Sequence, residues 1–531
     1  MGQRYVIAMI LLVAFMIFYP WYIDRITPDE PRPVKIEELQ PVEQLRVIEE
    51  KPLHHKTLSL QTQNFLFNIS ENDGSIRKIA LKDYKTIGNL EPLVLIDATD
   101  RTVLAPFSFQ FRKIKNGRQY QIQPSDVKVD IVHSKAVITE KDVDGIEINR
   151  EILEYEGHIK LRLSIKNTLE SPITLYYTVG CGEDILIEAP REEPYVEIFG
   201  FINQALYKAP HRNAQAQIRE KTGPTEWVGI RNRYFCIILK PNKLGSAAIY
   251  SGGEFGMGAI GIRSKNVLLR ENEEYFEEFK LYVGPLNYSR LERVSPTATK
   301  IATLGVMARM LLATLNWINS WAENYGVAII FLTIFVSIIL SPLSIKSAIS
   351  MRKMQGIQPK IKQIQEKHKK NPQKMNAEIM EIYKKHKVNP LGGCLPMLLQ
   401  IPVFFALYQV LVRAVELRGA EFLWIRNLAT PDKAFTIPFS LPIIGNYINI
   451  LPFLVIVAMY IQQILTSQTQ SITEPSQKIM LYIMPLILGF TFYSMPSGFI
   501  LYFLVSTLMN SGLQIYVLKK HGKGHLIISA D

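Results

Sequence analysis

Cysteine is scarce. The 531 residues hold three, Cys181, Cys236 and Cys394, too far apart for a C-x-x-C pair or a thiolate metal site. Neither a disulfide framework nor a zinc or redox centre is expected, and no cofactor is implied. The chain also lacks G-x-S-x-G, H-E-x-x-H and G-x-x-x-x-G-K-[ST], which leaves the commonest hydrolase, metalloprotease and nucleotide-binding chemistries without their motifs. His54 and His55 are poor joint ligands, because adjacent side chains on an extended segment point to opposite sides. An enzyme is not expected.

Charge is missing from several long runs. About 20 apolar residues cross a ~30 Å hydrocarbon core, and the uncharged segments are Tyr5 to Ile23, Asn324 to Ile345, Pro396 to Val412, Ile450 to Leu465 and the stretch between Lys478 and Lys519. The last has room for two spans, with Met495-Pro496-Ser497-Gly498 as the turn, so six transmembrane helices are expected. The first exceeds the apolar core of a signal peptide and no A-x-A site follows, which favours an uncleaved anchor. No Asp or Glu lies within a span, so an intramembrane proton relay has no carboxylate to use. A small-solute transporter is disfavoured on that ground and for want of an inverted repeat.

What charge there is lies unevenly. Residues 24 to 323 carry 39 Lys plus Arg against 40 Asp plus Glu. The segment from Ser344 to Leu395 is basic through Lys346, Arg352, Lys353, Lys360, Lys362, Lys367, Lys369, Lys370, Lys374, Lys384, Lys385 and Lys387, against Glu366, Glu378 and Glu381. The positive-inside rule places this segment in the cytoplasm, with both chain termini, and residues 24 to 323 outside. Its lysines either fix topology alone or also contact ribosomal RNA or anionic lipid. Ile357, Ile361 and Ile364, then Ile379, Ile382 and Tyr383, separated by Asn371-Pro372, describe two amphipathic helices in a hairpin whose apolar face lies on the membrane or meets a partner.

Proline-rich residues 24 to 54 read as a linker. Beyond it Ile159, Leu161, Leu163 and Ile165 alternate with Lys160, Arg162, Ser164 and Lys166, the period of a half-buried strand, and Asn72-Asp73-Gly74 and Asp144-Gly145 supply turns. Residues 55 to 300 are thus expected to form an antiparallel β-sandwich acting as scaffold or binding module, and residues 301 to 322, with Trp317 and Trp321, a helix along the outer interface.

Polar residues inside the spans form stripes. Thr333, Ser337 and Ser341 recur every fourth residue, Gln400 and Tyr408 bracket Phe404 at the same interval, and Tyr502, Ser506, Asn510 and Gln514 repeat it. Such residues serve as helix–helix glue, but three stripes together describe a shared polar groove through which the polar end of a passing polypeptide could enter the bilayer. Ile329 is expected to face lipid.

The run from Lys387 to Pro402, KVNPLGGCLPMLLQIP, together with Val415-Glu416-Leu417-Arg418 and Pro496-Ser497-Gly498 followed by Leu501-Tyr502, resembles the YidC membrane protein insertases; Trp227-Val228-Gly229 before Arg233-Tyr234-Phe235 is similar to their outer domain. The resemblance implies an α-helical transmembrane bundle, one N-terminal anchor (1 to 23) plus a five-helix core (323 to 518, with a cytoplasmic hairpin at 346 to 390 and a tail at 519 to 531), and an all-β supersandwich periplasmic domain. It implies an insertase and chaperone for nascent membrane proteins in the bacterial inner membrane, working alone or with the Sec translocon, the ribosome and targeting factors, and no DNA. Its hydrophilic groove opens to cytoplasm and lipid. Substrate-contacting positions map to Thr333, Ile401, Phe404, Tyr502 and Phe503, beside the stripe residues Ser337, Ser341, Gln400, Tyr408 and Ser506. The family usually carries a basic residue where this chain has Ser337.

Overall fold

The structure is a computed structural model that describes residues 56–87, 91–98, 105–115, 117–122, 124–142, 145–183, 185–186, 195–209, 218–251, 259–302, 304–368, 371–386, 395–441, 445–467 and 475–521. The expected anchor, the linker with His54 and His55, Lys369, Lys370, Lys387, Cys394 and the tail beyond 521 lie outside them. The described residues form two compact units, divided between Thr303 and Leu304.

The first unit is β-sheet. Strands β1 (Thr57–Gln61), β2 (Phe65–Ser70), β3 (Ile76–Lys85) and β4 (Pro92–Asp97) form a four-stranded antiparallel sheet, and fifteen further strands between Phe109 and Pro285 form a second. Strand His158–Asn167 illustrates the cause: its even-spaced Ile159, Leu161, Leu163 and Ile165 are buried while Arg162 and Lys166 are exposed. The large sheet turns back on itself, since Phe109 and Tyr177 meet Phe279 edge-on at 6.0 and 6.1 Å from distant places in the strand order. Trp227 is fully buried, stacks on Phe201 and donates its Nε1 hydrogen to Thr297 Oγ1 at 2.8 Å. That bond seats α1 (Tyr288–Val294) and the 3-10 turn Pro296–Ile301. Gly229 is needed beside it, because a Cβ there would come within 2.7 Å of the Ile237 carbonyl. Cys181 and Cys236 are buried free thiols, both pushed up by desolvation and so inert.

The two sheets are joined by buried charge. Arg150 is 1% exposed; it pairs with Glu140 and donates to the carbonyls of Phe107 at 3.2 Å and Asp73 at 2.6 Å. Arg77, 2% exposed, bonds Asp73 Oδ2 at 2.6 Å, and Gly74, at φ +61°, turns the chain between β2 and β3 around this cluster. Burial works to raise the Asp73 carboxyl, but the Arg77 guanidinium and bonds from Ser75 and Ser70 more than reverse it, leaving it below its ordinary 3.8. A carboxyl depressed by folding contributes stability above its unfolded pKa and loses it as pH falls through the folded one. The unit is therefore expected to soften progressively below about pH 4, and an acid titration of its circular dichroism, compared with Asp73→Asn, which should flatten that limb, checks it.

The second unit is helical. It contains α2 (Val306–Ala322), α3 (Tyr325–Gly356), α4 (Gln358–Lys367), α5 (Pro372–Lys385), α6 (Leu395–Arg413), α7 (Ile450–Ser467), α8 (Pro475–Phe492) and α9 (Ser497–His521). Asn324 accepts from the Val327 amide at the start of α3, and Asn371 from that of Lys374 at the start of α5, where Pro372 supplies the N1 position. The charged residues after Ile345 do not end α3, which continues to Gly356 because nothing there breaks a helix. Helix α9 packs between α3 and α7, α8 packs on α7, and α6 packs against α2 and α3. Tyr325–Ser350 and Ser497–Val517 are long and apolar enough to cross a membrane; Gln400–Arg413, Ile450–Leu465 and Tyr482–Phe492 are shorter apolar stretches.

Candidate functional site

The polar stripes fall on α3, α6 and α9. Gln400 on α6 donates its Nε2 hydrogen to the phenol of Tyr502 on α9, and Ser506, buried, stands one turn further along α9. Tyr502 is 2% exposed and Gln400 half-buried, so two polar groups from different helices meet inside an apolar bundle, where leaving either unpaired would be costly. Thr333 on α3 is fully buried and donates to the Ile329 carbonyl at 2.6 Å. Ser337 and Ile401 are half-buried.

Ser341 has a local task. Pro342 lies inside α3 and lacks the N–H that would reach the Ile338 carbonyl; the Ser341 hydroxyl donates to that carbonyl at 2.8 Å instead. Phe404, Tyr408 and Phe503 enter an aromatic cluster. Phe404 and Tyr408 stand edge-on to the fully buried Phe499 at 4.7 and 5.5 Å, and Phe503 stands on Phe492 at 4.8 Å. Phe499 and Phe492 were not singled out from the sequence, since an aromatic in an apolar run gives no signal of its own. A second polar row on α9, Thr507 and Ser511, is buried and bonds back to the carbonyls of Phe503 and Thr507.

One expectation is corrected. Ile329 does not face lipid: it is 0% exposed and lies against Gly498 at the head of α9. Phe335, Ile338 and Ile339 form the outward face of α3.

The ends of the bundle differ. At one, the backbone of Ser497 donates to the Thr430 carbonyl and that of Gly498 to Leu428, while Asn427 Oδ1 accepts from Gly419 and Ala429. Asp432, 3% exposed, accepts at Oδ2 from Trp424 Nε1 and from the first amides of α7, Ile450 and Leu451. Asn449 accepts from the Lys433 amide and donates to the Tyr493 carbonyl. Residues 427 to 432, Asn449 and Ser497 thus knot the ends of α6 to α9 together. Arg413 is the last residue of α6 at this end. At the other end α4 and α5 bury Ile357, Ile361 and Ile379 against Ile364, Met375, Ile382 and Tyr383. Their apolar faces are spent on each other, which corrects the expectation of a face left for the membrane or a partner. Lys353, Lys360, Lys367, Lys384 and Lys385 are exposed and Lys362 half-exposed; of Arg352 only the backbone is described.

The family described as "60Kd inner membrane protein" matches residues 317–523, and "YidC periplasmic domain" matches residues 57–318. A protein of Chlorobium limicola named membrane protein insertase YidC is 29% identical over 487 residues, covering 87% of this chain and 82% of its own. One of the same name from Syntrophobacter fumaroxidans is 39% identical over 308 residues, 55% of this chain and 54% of that one. Among solved structures, an active YidC insertase with its first transmembrane domain resolved aligns over 97% of this chain and 100% of its own, at 16% identity and a TM-score of 0.37.

Proposed function

Because the chain belongs to the YidC-type membrane protein insertases, inner-membrane proteins with a periplasmic domain that place other proteins in the bilayer and are not enzymes, we propose that it does so along the seam between α3, α6 and α9. The observation that carries this reading is the bond between Gln400 and Tyr502, a polar contact between two helices held inside an apolar bundle. The path runs along Thr333, Ser337, Ser341, Gln400, Ile401, Phe404, Tyr408, Tyr502, Phe503 and Ser506, and is a hydrophilic groove open to cytoplasm and lipid. A nascent segment slides along it, its polar flank passing the hydroxyls while its apolar length moves into lipid at a gain of roughly 25 cal/mol per Å².

With Ser337 in place of the family's usual basic residue, no fixed cation in the groove draws acidic flanks inward. Transit rests on the burial of the segment itself. Six helices cross the membrane with both termini cytoplasmic, and the periplasmic domain is a supersandwich at residues 55 to 300. Lys353, Lys360, Lys367, Lys384 and Lys385, with Arg352, Lys362, Lys369, Lys370 and Lys387, meet the ribosome, targeting factors or anionic headgroups. The protein works as insertase and chaperone, alone or with the Sec translocon.

Photocrosslinkers at positions 333, 337, 404 and 502 are expected to capture a stalled nascent membrane protein, while one at the outward Ile339, 59% exposed, captures lipid. Equal capture from all five would reduce the stripes to helix packing.

A further inference from the structure

The knotted end of the helical unit carries an element that the insertion path does not use. Strands Phe435–Leu441 and Gly445–Ile448 pair as an antiparallel hairpin between α6 and α7. Its base is held firmly: Asp432 caps α7, the Lys433 amide bonds Asn449, and the Tyr493 hydroxyl donates to the Tyr447 carbonyl. Beyond that base, strand parity assigns Phe435, Ile437 and Phe439 to one face and Thr436 and Pro438 to the other, and of these five only Ile437 is half-buried. Phe435 and Phe439 are each 60% exposed. A two-stranded hairpin cannot bury such a face within itself.

We propose that this hairpin is a lipid-binding element, seated at the headgroup–acyl boundary of the periplasmic leaflet with Phe435 and Phe439 inserted among the phospholipids. The argument is one of level and continuity. Four helix ends meet here: Asn324, at the start of α3, bonds the Glu421 carbonyl, and the start of α7 and the α8–α9 turn share the polar knot. The lysine-bearing α4 and α5 lie at the opposite end of the bundle, so by the positive-inside rule this end faces the periplasm and the hairpin leaves the bundle near the bilayer surface. Exposed aromatics lie near the start of α3 as well. Trp317 and Trp321 on α2 are 67% and 53% exposed, and Trp321 touches Phe331 on α3. Phe422 closes against Gly326 beside them, which sets the exposed Leu423 and Trp424 next in the row before the hairpin. Tryptophan is a residue of the interfacial belt, and exposed Trp317, Trp321 and Trp424 lie on the segments that flank the start of α3 and the hairpin.

The backbone limits how deep the hairpin goes. Pairing is described at Phe435, Thr436 and Leu441, with a register break between, and Pro438 has no N–H to offer. Strand groups unpaired within the sheet need water, which the headgroup layer supplies and the hydrocarbon core does not. The element therefore lies in the surface with its aromatic face down and its Thr436 face up.

The test uses the full chain in vesicles of phosphatidylethanolamine and phosphatidylglycerol, with Cys394→Ser removing the thiol outside the two buried ones. A nitroxide is attached at Phe439→Cys and, separately, at Thr436→Cys, and its collisions with lipid-soluble oxygen and a water-soluble nickel chelate are compared. At position 439 oxygen should win and at 436 the chelate should win, the ratio differing several-fold between the two. Equal access of the chelate to both sites overturns the proposal. So does a label at 439 that is immobile and shielded from both reagents, since protein rather than lipid would then cover the face. Phe435→Cys repeats the measurement independently should one variant fail to assemble.

Discussion

Arg150→Ala is expected to unfold the periplasmic domain while membrane insertion continues. The guanidinium is 1% exposed and is shared by Glu140 and the carbonyls of Phe107 and Asp73, so its removal leaves a buried carboxylate and two acceptors unanswered. Breaking a buried pair from one side costs about 3–5 kcal/mol, a large part of the ~5–15 kcal/mol that holds a typical domain together. The cluster also bridges two sheets, so the loss cannot stay local. Removing both charges, as in Arg150→Met with Glu140→Leu, should be far milder, because the desolvation cost of the pair disappears with it. Protease resistance of the domain within the full chain reads the first effect, and rescue of short-tailed membrane proteins in depleted cells reads the second. Insertion that collapses together with the domain would move the centre of function outward, to a receptor or scaffold, and deletion of residues 55 to 290 would then be equally damaging.

Asp432→Ala with Asn449→Ala should open the periplasmic end of the bundle. Asp432 is the acceptor for two amides of α7 and for the Trp424 indole, and Asn449 ties the Lys433 amide to the Tyr493 carbonyl. Losing a helix cap costs about 0.5–2 kcal/mol, and buried donors left without acceptors add about 1–3 kcal/mol. A total near 3 kcal/mol multiplies the opened population roughly a hundredfold. With Thr333→Cys as reporter and Cys394→Ser as background, a membrane-impermeant maleimide added from the periplasmic side should label the double variant rapidly and the parent hardly at all. Unchanged labelling would show that the knot positions loops without sealing anything.

How far the sequence revealed this arrangement depended on periodicity. Strand His158–Asn167 was readable because burial alternates along it, and Gln400 and Tyr502 each stood out in a stripe at a helical interval, although the bond between them did not. Ile329 was misplaced although it stands four residues before Thr333, on the same face as the stripe of Thr333, Ser337 and Ser341; that spacing turns it inward, where it lies against Gly498. Asn427, Asp432 and Asn449 were missed because they sit in connections that have no period at all, and Ser497 was legible only as part of a turn. The one available signal was Asn449 immediately before the apolar run that opens α7. Arg150 left a clearer trace, since it shares parity with Ile146, Ile148 and Ile152 on strand Ile146–Tyr155: a charge in the apolar register is a charge bound for the interior.

Pro342 interrupts the hydrogen-bond ladder of a helix of 32 residues, about 48 Å long. Ser341 restores one acceptor, but a hydroxyl on its own swivelling bond resists bending less than a ladder amide does. The rod therefore has a compliant joint below Thr333 and above the lysine-bearing hairpin. A load placed on that hairpin would be taken up as flexure at the joint before it reached the residues around Thr333.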